Sequence, residues 1–318
     1  MEYRLLGQTG IMVSRLCFGS LTIGPLQKNL PLREGAALIA AALDAGVNFV
    51  DTAESYQTYP YIKKAIIGRL GARPDIVIAS KSYAATWQEM QNSVETACRA
   101  LGREWVDIFL LHEQTSRLTL MGHKEALNYL VKAKQEGKIR AAGVSTHSIE
   151  VVRAASLLEE VDVIHPILNR RGLGIIDGSF EQMVEAVRFA ASCGKGIYAM
   201  KALGGGHLIS EAADALRWTA GIEGVASVAV GMQSMTELMF NCAIFSGRQP
   251  SPEMAAELAA KTRRVIVESW CRGCGTCAAH CPAGAISILN GRAKVDAAKC
   301  VFCGYCAAWC PDFCLKVL

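Results

Sequence analysis

Residues 271–310 read CRGCGTCAAHCPAGAISILNGRAKVDAAKCVFCGYCAAWC, and this stretch decides how the rest of the chain is interpreted. It holds two copies of one cysteine spacing, C-x2-C-x2-C-x3-C, and each copy is followed by a proline, Pro282 or Pro311. Each cysteine of the second copy lies 29 residues after its counterpart in the first. The regular offset indicates an internal duplication and not a chance cluster of thiols.

The spacing fits a cubane of iron and sulfide, in which each of four irons needs one thiolate. In this pattern the last cysteine of each run ligates the other cluster. The first predicted cluster is therefore held by Cys271, Cys274, Cys277 and Cys310. The second is held by Cys300, Cys303, Cys306 and Cys281. The segment closely resembles bacterial ferredoxins that carry two [4Fe-4S] clusters.

Structural zinc and a disulfide framework are the alternatives for these cysteines. Zinc sites pair two separated C-x2-C units, whereas each copy here has a third and a fourth cysteine in register with proline. Disulfides need an oxidising compartment, and Met1 leads into Glu2-Tyr3-Arg4 with no apolar signal segment. Both alternatives are weaker than the clusters, and we expect a cytoplasmic protein.

Composition narrows the class of protein further. The chain has 318 residues, of which 51% are hydrophobic and 19% charged, which fits a large buried core with an appendage. No apolar run approaches the ~18 residues that a membrane span requires. The net charge of +4 is small, and long basic runs are missing from the sequence. We therefore expect no membrane and no nucleic acid among the partners.

Short β-branched runs alternate with longer amphipathic ones between residues 15 and 246, which is typical of a parallel sheet wrapped by helices. The predicted strands are Arg15–Ser20, Val47–Asp51, Asp75–Ser80, Val106–Leu111, Ile139–Val144, Val161–Pro166, Gly196–Met200 and Val225–Val230. The predicted helices include Glu34–Ala45, Trp87–Leu101, Lys124–Gln135, Phe180–Ser192 and Met235–Ser246. Eight such units predict an α/β chain with a (β/α)8 TIM barrel. A doubly wound open sheet is the alternative, but no G-x-G-x-x-G opens the first βα turn.

The pattern breaks at Pro250, Ser251 and Pro252, and an alanine-rich helix is predicted over Glu253–Val267. We therefore divide the chain into three parts. The predicted parts are a barrel at 1–250, a linker helix at 251–268, and a small α+β ferredoxin-like iron-sulfur domain at 269–318.

Ionisable residues end three successive predicted strands. Asp51, Lys81 and His112 each follow an apolar run, and Tyr56 lies in the loop after Asp51. Taken singly, each has an ordinary interpretation as a helix cap, a solvated strand end or a core histidine. In a barrel, however, catalytic groups come from the carboxyl ends of strands, so these four side chains are expected to lie together.

Together the four side chains form a set with a specific chemistry. Lys81 near the phenol is expected to lower the pKa of Tyr56, and Asp51 can hold the ammonium of Lys81. His112 can orient a carbonyl oxygen or share its proton. Tyr56 could then protonate an alkoxide as hydride arrives at carbon.

At this point the residues resemble a known family, the aldo-keto reductases. The run Asp51-Thr52-Ala53-Glu54-Ser55-Tyr56 resembles the family's D-T-A-x-x-Y motif, and Leu6-Gly7-Gln8-Thr9-Gly10 and Phe18-Gly19 resemble its N-terminus. With the cysteine segment, the whole chain is similar to an iron-sulfur branch of that family. The resemblance implies the barrel, a catalytic tetrad of Asp51, Tyr56, Lys81 and His112, and NAD(P)H bound extended across the barrel mouth.

The resemblance also implies where the nucleotide binds. The positions that match are Gly19, Ser145, Leu203, Gly231 and Asn241. Two positions depart, because His165 replaces the usual glutamine and Met200 replaces an aromatic that commonly stacks on the nicotinamide.

The 2′-phosphate of NADP commonly meets basic residues in this family, but Gln233 and Glu237 stand at those positions. Lys201 and Arg248 are the cations that could replace them. The choice between NAD and NADP is therefore left open by the sequence, with no strong preference for NADP expected.

The leading functional hypothesis is a redox enzyme that interconverts a small carbonyl and an alcohol with NAD(P)H, while the clusters exchange single electrons with a protein partner. Hydride carries two electrons and each cluster takes one, so a flavin is an alternative cofactor. A second hypothesis is an electron-transfer or assembly module with the barrel as docking scaffold. A third makes the clusters purely structural.

Five further cysteines show no ligand spacing and are expected to be small buried apolar residues; they are Cys17, Cys98, Cys193, Cys242 and Cys314. Three aromatic residues beside the predicted ligands are expected to shield the clusters from water. These are Trp270, Tyr305 and Trp309.

Overall fold

A closed parallel barrel is the central feature of the computed structural model, which describes residues 1–69, 75–260, 264–312 and 314–317. An antiparallel hairpin, β1 (Tyr3–Leu5) and β2 (Met12–Ser14), precedes it. The barrel strands are β3 (Leu16–Gly19), β4 (Phe49–Asp51), β5 (Val77–Ser82), β6 (Val106–Gln114), β7 (Ile139–Thr146), β8 (Val163–Pro166), β9 (Gly196–Met200) and β10 (Val225–Gly231). They follow one another in sequence order around the barrel, and β10 closes it against β3. The predicted TIM barrel is confirmed.

Helices surround the barrel. In chain order they are α1 (Leu32–Asp44), α2 (Tyr59–Ile66), α3 (Trp87–Leu101), α4 (Arg117–Gly122), α5 (Lys124–Gln135), α6 (Ile149–Ser156), α7 (Phe180–Ser192), α8 (Ala212–Gly221), α9 (Met235–Phe245) and α10 (Pro252–Ala259). Three of the predicted helices, over residues 87–101, 124–135 and 180–192, have the predicted bounds. The shorter α2, α4, α6 and α8 were not among the helices predicted from the sequence.

Two apolar layers hold the barrel together, because successive strand residues face opposite sides. Ile108 and Leu110 of β6 belong to the interior cluster, whereas Phe109 and Leu111 belong to the layer between strands and helices. All four are fully buried. Residues on both faces of the strand are therefore apolar, which explains the nearly continuous hydrophobic runs in the sequence.

The N-terminal hairpin closes one end of the barrel. Leu6, Ile11 and Val13 pack with the interior residues Phe49 and Ile108 and are fully buried. The opposite end, where the strands finish, stays available for a site.

The predicted linker helix is wrong at its C-terminal end. Helix α10 ends at Ala259, and Val265–Val267 forms strand β11 instead. This strand pairs antiparallel with β14 (Leu315–Val317), which lies near the C-terminal end of the chain. Strands β12 and β13 lie between the two and are described in the next paragraph. The run Val265-Ile266-Val267 is β-branched, a composition that favours a strand once a partner strand is present. Residues 261–263 of the predicted helix lie outside the described residues.

The cysteine segment contains short elements that repeat like its sequence. In chain order it has α11 (Thr276–Ala279), the hairpin β12 (Ile286–Leu289) and β13 (Arg292–Val295), α12 (Tyr305–Ala308) and then β14. Each one-turn helix is preceded by a glycine in the left-handed region, Gly275 at φ 82° and Gly304 at φ 83°. The two copies therefore share backbone geometry as well as cysteine spacing.

None of the helices in the described ranges combines the length and apolar character that crossing a bilayer requires.

Candidate active site

The carboxyl ends of β4 and β5 hold a buried ion pair. Lys81 Nζ donates to both carboxylate oxygens of Asp51, at 2.7 and 2.8 Å, and to the carbonyl oxygen of Thr52 at 2.8 Å. The side chains of Lys81 and Asp51 are only 1% and 7% exposed. Such a pair is held firmly because all three donors of the ammonium have acceptors.

Tyr56 lies beside this pair on a 3-10 turn, Glu54–Tyr56, that follows β4. Lys81 Nζ is 5.0 Å from the centroid of the Tyr56 ring. The ring of His112, near the end of β6, has its centroid 5.7 Å from that of Tyr56. The structure therefore brings together the four residues predicted as a tetrad.

The expected effect of Lys81 on Tyr56 is not observed. Burial raises the pKa of Tyr56 well above its usual value, and the charge of Asp51 raises it further, while a hydrogen bond with Tyr305 opposes the rise. Lys81 is bound directly to Asp51, so the carboxylate offsets the charge that would stabilise a phenolate. Tyr56 therefore keeps its proton at neutral pH.

His112 is neutral in this setting. Burial lowers its pKa well below the usual value, and the charge of Lys81 adds to the effect. Its Nε2 lies 3.0 Å from the hydroxyl oxygen of Tyr305, and the ring of Tyr83 stacks on it with centroids 4.3 Å apart. Its buried Nδ1 has no hydrogen-bond partner among the described residues.

Tyr198 and His165 extend the site into the barrel. The Tyr198 hydroxyl donates to Asp51 Oδ1 at 3.0 Å, and the ring of His165 stacks on Tyr198 with centroids 3.8 Å apart. Burial lowers the pKa of His165 to about 4, despite the opposing charge of Asp51. The sequence-based analysis missed Tyr198, which lies inside a predicted strand and not at its end.

A cavity of about 430 Å³ opens beside the tetrad. It extends from Asp51 and Tyr56 to Glu237 and Asn241 of α9. Four of the five predicted nucleotide positions line it, namely Gly19, Leu203, Gly231 and Asn241. The fifth, Ser145, is fully buried, does not line the cavity, and has its hydroxyl oxygen 3.4 Å from the Leu111 carbonyl oxygen.

Two glycines of the cavity lining are required by close packing within the protein. A Cβ on Gly19 would lie 3.3 Å from backbone atoms of Val230 and Gly231, and one on Gly231 would collide with the Thr22 side chain at 2.1 Å. Glycine at these positions therefore allows β3, β10 and the turn at Thr22 to approach closely beside the cavity.

Lys201 lines the cavity, and its ammonium also contacts a polar network that follows β7. Its backbone is left-handed at φ 56°, and its Nζ is 3.1 Å from His147 Nε2. His147 Nδ1 lies 3.1 Å from a Glu113 carboxylate oxygen. Arg248 does not line the cavity. Of the two cations considered from the sequence, Lys201 is therefore the one that lies at the cavity.

The cysteine segment docks on the barrel mouth. Gln27 Nε2 donates to the Phe302 carbonyl oxygen at 3.0 Å, and His207 Nε2 lies 2.5 Å from the Cys300 carbonyl oxygen. A Cβ on Gly205 would meet the Val301 carbonyl oxygen at 1.9 Å, so only glycine allows this contact. Val301, Phe302 and Cys303 consequently form part of the cavity wall.

The cysteines of the two runs influence one another. Burial raises the pKa of Cys277, and smaller contributions come from Cys310, Cys271 and Cys274. Burial also raises the pKa of Cys306, with smaller contributions from Cys303, Cys300 and Cys281, and then from Cys277. No three metal-ligating side chains within the described ranges are arranged to hold a metal ion, so the division of the cysteines between two clusters stays a prediction.

Backbone amides point at several of these sulfurs. The Ala285 amide donates to Cys281 Sγ at 3.3 Å, and the Ala293 amide donates to Cys271 Sγ at 3.4 Å. The Cys314 amide donates to Cys310 Sγ at 3.2 Å. Such N–H donors stabilise thiolate ligands, so the residues present fit iron-sulfur clusters.

The aromatic residues of the segment differ from expectation. Trp270 and Trp309 are 52% and 54% exposed, so they shield little from water. Tyr305 is buried in the barrel mouth beside Tyr56. Its position between Cys303 and Cys306 in the sequence gave no signal of this contact.

Comparison with known families matches this geometry to a class of protein. Residues 15–214, more than half of the chain, match the aldo/keto reductase family, and residues 263–311 match a 4Fe-4S dicluster domain. The chain belongs to the aldo/keto reductase family and carries an iron-sulfur domain at its C-terminal end.

Individual relatives are distant. The chain is 29% identical over 184 residues to aldo-keto reductase YhdN of Bacillus subtilis, covering 53% of this chain and 54% of the relative. It is 25% identical over 175 residues to methylglyoxal reductase DkgA of Yersinia pestis, covering 52% and 62%. The chain thus spans little more than half the length of these curated relatives.

Solved structures agree on the fold. The holo form of an aldo-keto reductase from Bacillus halodurans superposes with a TM-score of 0.65 at 20% identity, covering 82% of this chain and 98% of the other.

Proposed function

We propose that this protein is an oxidoreductase that interconverts a carbonyl and an alcohol with NAD(P)H and exchanges electrons through two [4Fe-4S] clusters. One observation carries the proposal. The cavity that Asp51 and Tyr56 line is also lined by Cys303, a predicted cluster ligand. A site for two-electron chemistry and a site for one-electron chemistry therefore share one wall.

The nucleotide is assigned to the elongated cavity. Gly19, Leu203, Gly231 and Asn241 would hold it, and a bound reduced nicotinamide would supply hydride to the carbonyl carbon. Ser145 is not assigned to the nucleotide, because its side chain is buried away from the cavity.

The tetrad handles the substrate oxygen. Tyr56, protonated at neutral pH, donates its proton to the oxygen as the alcohol forms. The neutral His112 orients the oxygen by hydrogen bonding. Lys81 and Asp51 fix the floor of the site through their ion pair.

The clusters supply single electrons to or from a protein partner. The cluster assigned to Cys300, Cys303, Cys306 and Cys281 would lie on the barrel side, because Cys303 lines the cavity. The other cluster would lie nearer the surface, since its predicted ligand Cys274 is exposed. A redox partner would therefore dock near Cys274.

Composition and mutation together test the proposal. Under anaerobic conditions we expect about eight irons and eight acid-labile sulfides per chain, with NAD(P)H-dependent reduction of a small aldehyde such as methylglyoxal. Tyr56→Phe removes one hydroxyl and should lower that reduction at least ~100-fold, with nucleotide affinity and iron content unchanged.

Two results would count against it. Zinc in place of iron, or one cluster after full reconstitution, would remove the two-cluster assignment. Near-normal turnover of Tyr56→Phe would remove Tyr56 as the proton donor.

A second candidate is an electron-transfer module whose barrel docks a partner or binds a flavin. The observation that favours it is the contact of Tyr305 with His112, which places a protein hydroxyl within the tetrad. Failure of both NAD and NADP to bind at millimolar concentration, or flavin in the purified protein, would support this candidate over the first.

A further inference from the structure

Tyr305 links the cysteine segment to the tetrad. It follows Cys303 by two residues and precedes Cys306 by one, yet its side chain lies in the barrel mouth. It is 9% exposed and packs in one apolar cluster with Ala53 and Tyr56. No other described residue of the cysteine segment shares a hydrogen bond with the tetrad.

The Tyr305 hydroxyl lies beside the two groups assigned to the substrate oxygen. Its oxygen is 3.0 Å from His112 Nε2, and its side chain packs in the same apolar cluster as that of Tyr56. In the proposed reaction, His112 and Tyr56 must converge on the oxygen of a carbonyl substrate. A phenol oxygen can accept from His112 Nε2 as a carbonyl oxygen would.

We propose that the Tyr305 hydroxyl occupies the substrate-oxygen position, so that a carbonyl binds only after the Tyr305 side chain is displaced. The inference rests on the proposed function, because that function assigns Tyr56 and His112 to the substrate oxygen. The cysteine segment then supplies an internal competitor for the active site.

The backbone around Tyr305 is fixed, so the side chain is the part that moves. A Cβ on Gly304 would lie 2.5 Å from the Leu26 carbonyl oxygen, which shows how closely the two backbones meet. Gln27 holds the Phe302 carbonyl, and His207 holds that of Cys300. Tyr305 does not itself line the cavity, but Tyr56 and Cys303 do, and the proposal requires the displaced ring to move towards that space.

An internal competitor lowers the apparent affinity for substrate by the fraction of molecules in which the oxygen position is free. Removing the hydroxyl of Tyr305 should therefore strengthen carbonyl binding. A hydrogen bond of ordinary strength predicts an increase of about fivefold to tenfold. If Tyr305 only supported the structure of the site, removing its hydroxyl would weaken carbonyl binding instead.

The test compares wild type with Tyr305→Phe, which keeps the ring and removes only the hydroxyl. Isobutyramide is a suitable probe, because its carbonyl oxygen accepts hydrogen bonds and the amide is not reduced. Calorimetric titration of the anaerobic holoprotein should give a Kd about fivefold to tenfold lower in the variant. KM for methylglyoxal should fall by a similar factor.

Trp309→Phe is the matched control, since Trp309 is an aromatic of the same cysteine copy that is exposed and lies outside the cavity lining. It should bind isobutyramide like wild type. Iron content of both variants reports whether the segment is intact.

Unchanged or weaker isobutyramide binding in Tyr305→Phe would overturn the inference, as would absence of binding to that variant. Failure of the proposed function is separate. It would appear as no carbonyl reduction with either nucleotide in wild type or variant, while the binding difference between them remained.

Discussion

The barrel and the cysteine segment are stabilised in different ways. The barrel has two extensive apolar layers whose members, such as Phe49 and Ile108, are fully buried. The cysteine segment has two-stranded sheets, one-turn helices and a small core in which cysteines are prominent members. Burial of apolar surface can stabilise the barrel alone, whereas a segment this small generally needs a metal group as well.

The difference becomes functional where the two regions meet. Residues 300–305 pack on the loops at the barrel mouth, and Tyr305 reaches His112. The geometry of the active site on the barrel therefore depends partly on the cysteine segment, whose own stability is expected to depend on bound metal. Each prediction below tests how far the two regions are independent.

The largest expected effect is that of removing the clusters. Chelation of iron under anaerobic conditions should release the cysteine segment while the barrel stays folded. Trypsin should then cut after Arg272, Arg292 or Lys294 at least about tenfold faster, with the helical circular dichroism of the barrel retained. Equal protection before and after chelation would mean that the segment holds itself by packing.

A pair of cysteine variants sharpens this test. Cys303→Ala should lose one cluster and retain about four of eight irons. Cys314→Ala should retain all of them, because Cys314 is buried but is not a predicted ligand.

The next effect concerns the stability of the barrel. Asp51→Asn leaves the buried ammonium of Lys81 without its counter-charge, which typically costs about 3–5 kcal/mol. Urea unfolding of the holoprotein should show this loss in the free energy of unfolding. Glu136→Gln is the control, because its partner Lys132 is half exposed and ion pairs on the surface contribute little to stability. Equal losses in the two variants would contradict the prediction.

A smaller effect is predicted for acid stability. The folded pKa of His165 is about 4, against about 6.5 for an unfolded histidine. Between these values the unfolded chain binds a proton that the folded one does not, so stability is complete above pH 6.5 and falls as pH drops towards 4. The full loss is about 3 kcal/mol.

His165→Gln tests this effect by removing the titrating group. Burial also lowers the pKa of His112 and His147, so they contribute with the same sign in both proteins. The informative quantity is therefore the difference between variant and wild type. Thermal unfolding midpoints between pH 5 and 7 should depend less on pH in the variant, and identical pH dependence would show that His165 does not contribute.

The fold could be predicted from the sequence because the barrel strands are apolar on both faces and alternate with amphipathic helices. Asp51, Lys81 and His112 could be found because each is an ionisable residue at or near a strand end. Strand β11 in the linker could not be predicted, because Val265–Val267 becomes a strand only by pairing with residues about fifty positions later.

Tyr305 could not be placed from the sequence for a related reason. Its contact with His112 joins residues 193 positions apart and depends on how the cysteine segment packs on the barrel. Neither cysteine spacing nor hydrophobic periodicity carries that information. Ser145 shows a different limit: its strand-end position could be identified from the sequence, but not that its side chain is buried outside the cavity lining. Its contact with a nucleotide stays a prediction.

The smallest predicted effect concerns the nucleotide and needs no participation of the cysteine segment. Gln233 and Glu237 line the cavity, and the carboxylate of Glu237 accepts from the Gln233 amide at 2.7 Å in the first turn of α9. A helix N-terminus of this kind is where a phosphate would otherwise bind. The carboxylate of Glu237 therefore takes the place of that anion.

Wild type should consequently bind NADP no more tightly than NAD, as measured by anaerobic calorimetry. A missing charge-assisted hydrogen bond costs about 1.5–3 kcal/mol, which is roughly tenfold to a hundredfold in affinity. Glu237→Gln removes the charge but keeps an acceptor for the Gln233 amide, so NADP binding should improve about tenfold while NAD binding stays constant. Glu253→Gln, in the first turn of α10 and outside the cavity lining, should change neither. NADP binding tenfold tighter than NAD in wild type would mean that a cation meets the 2′-phosphate despite Glu237, and the lysines that line the cavity, Lys28 and Lys201, would be the candidates.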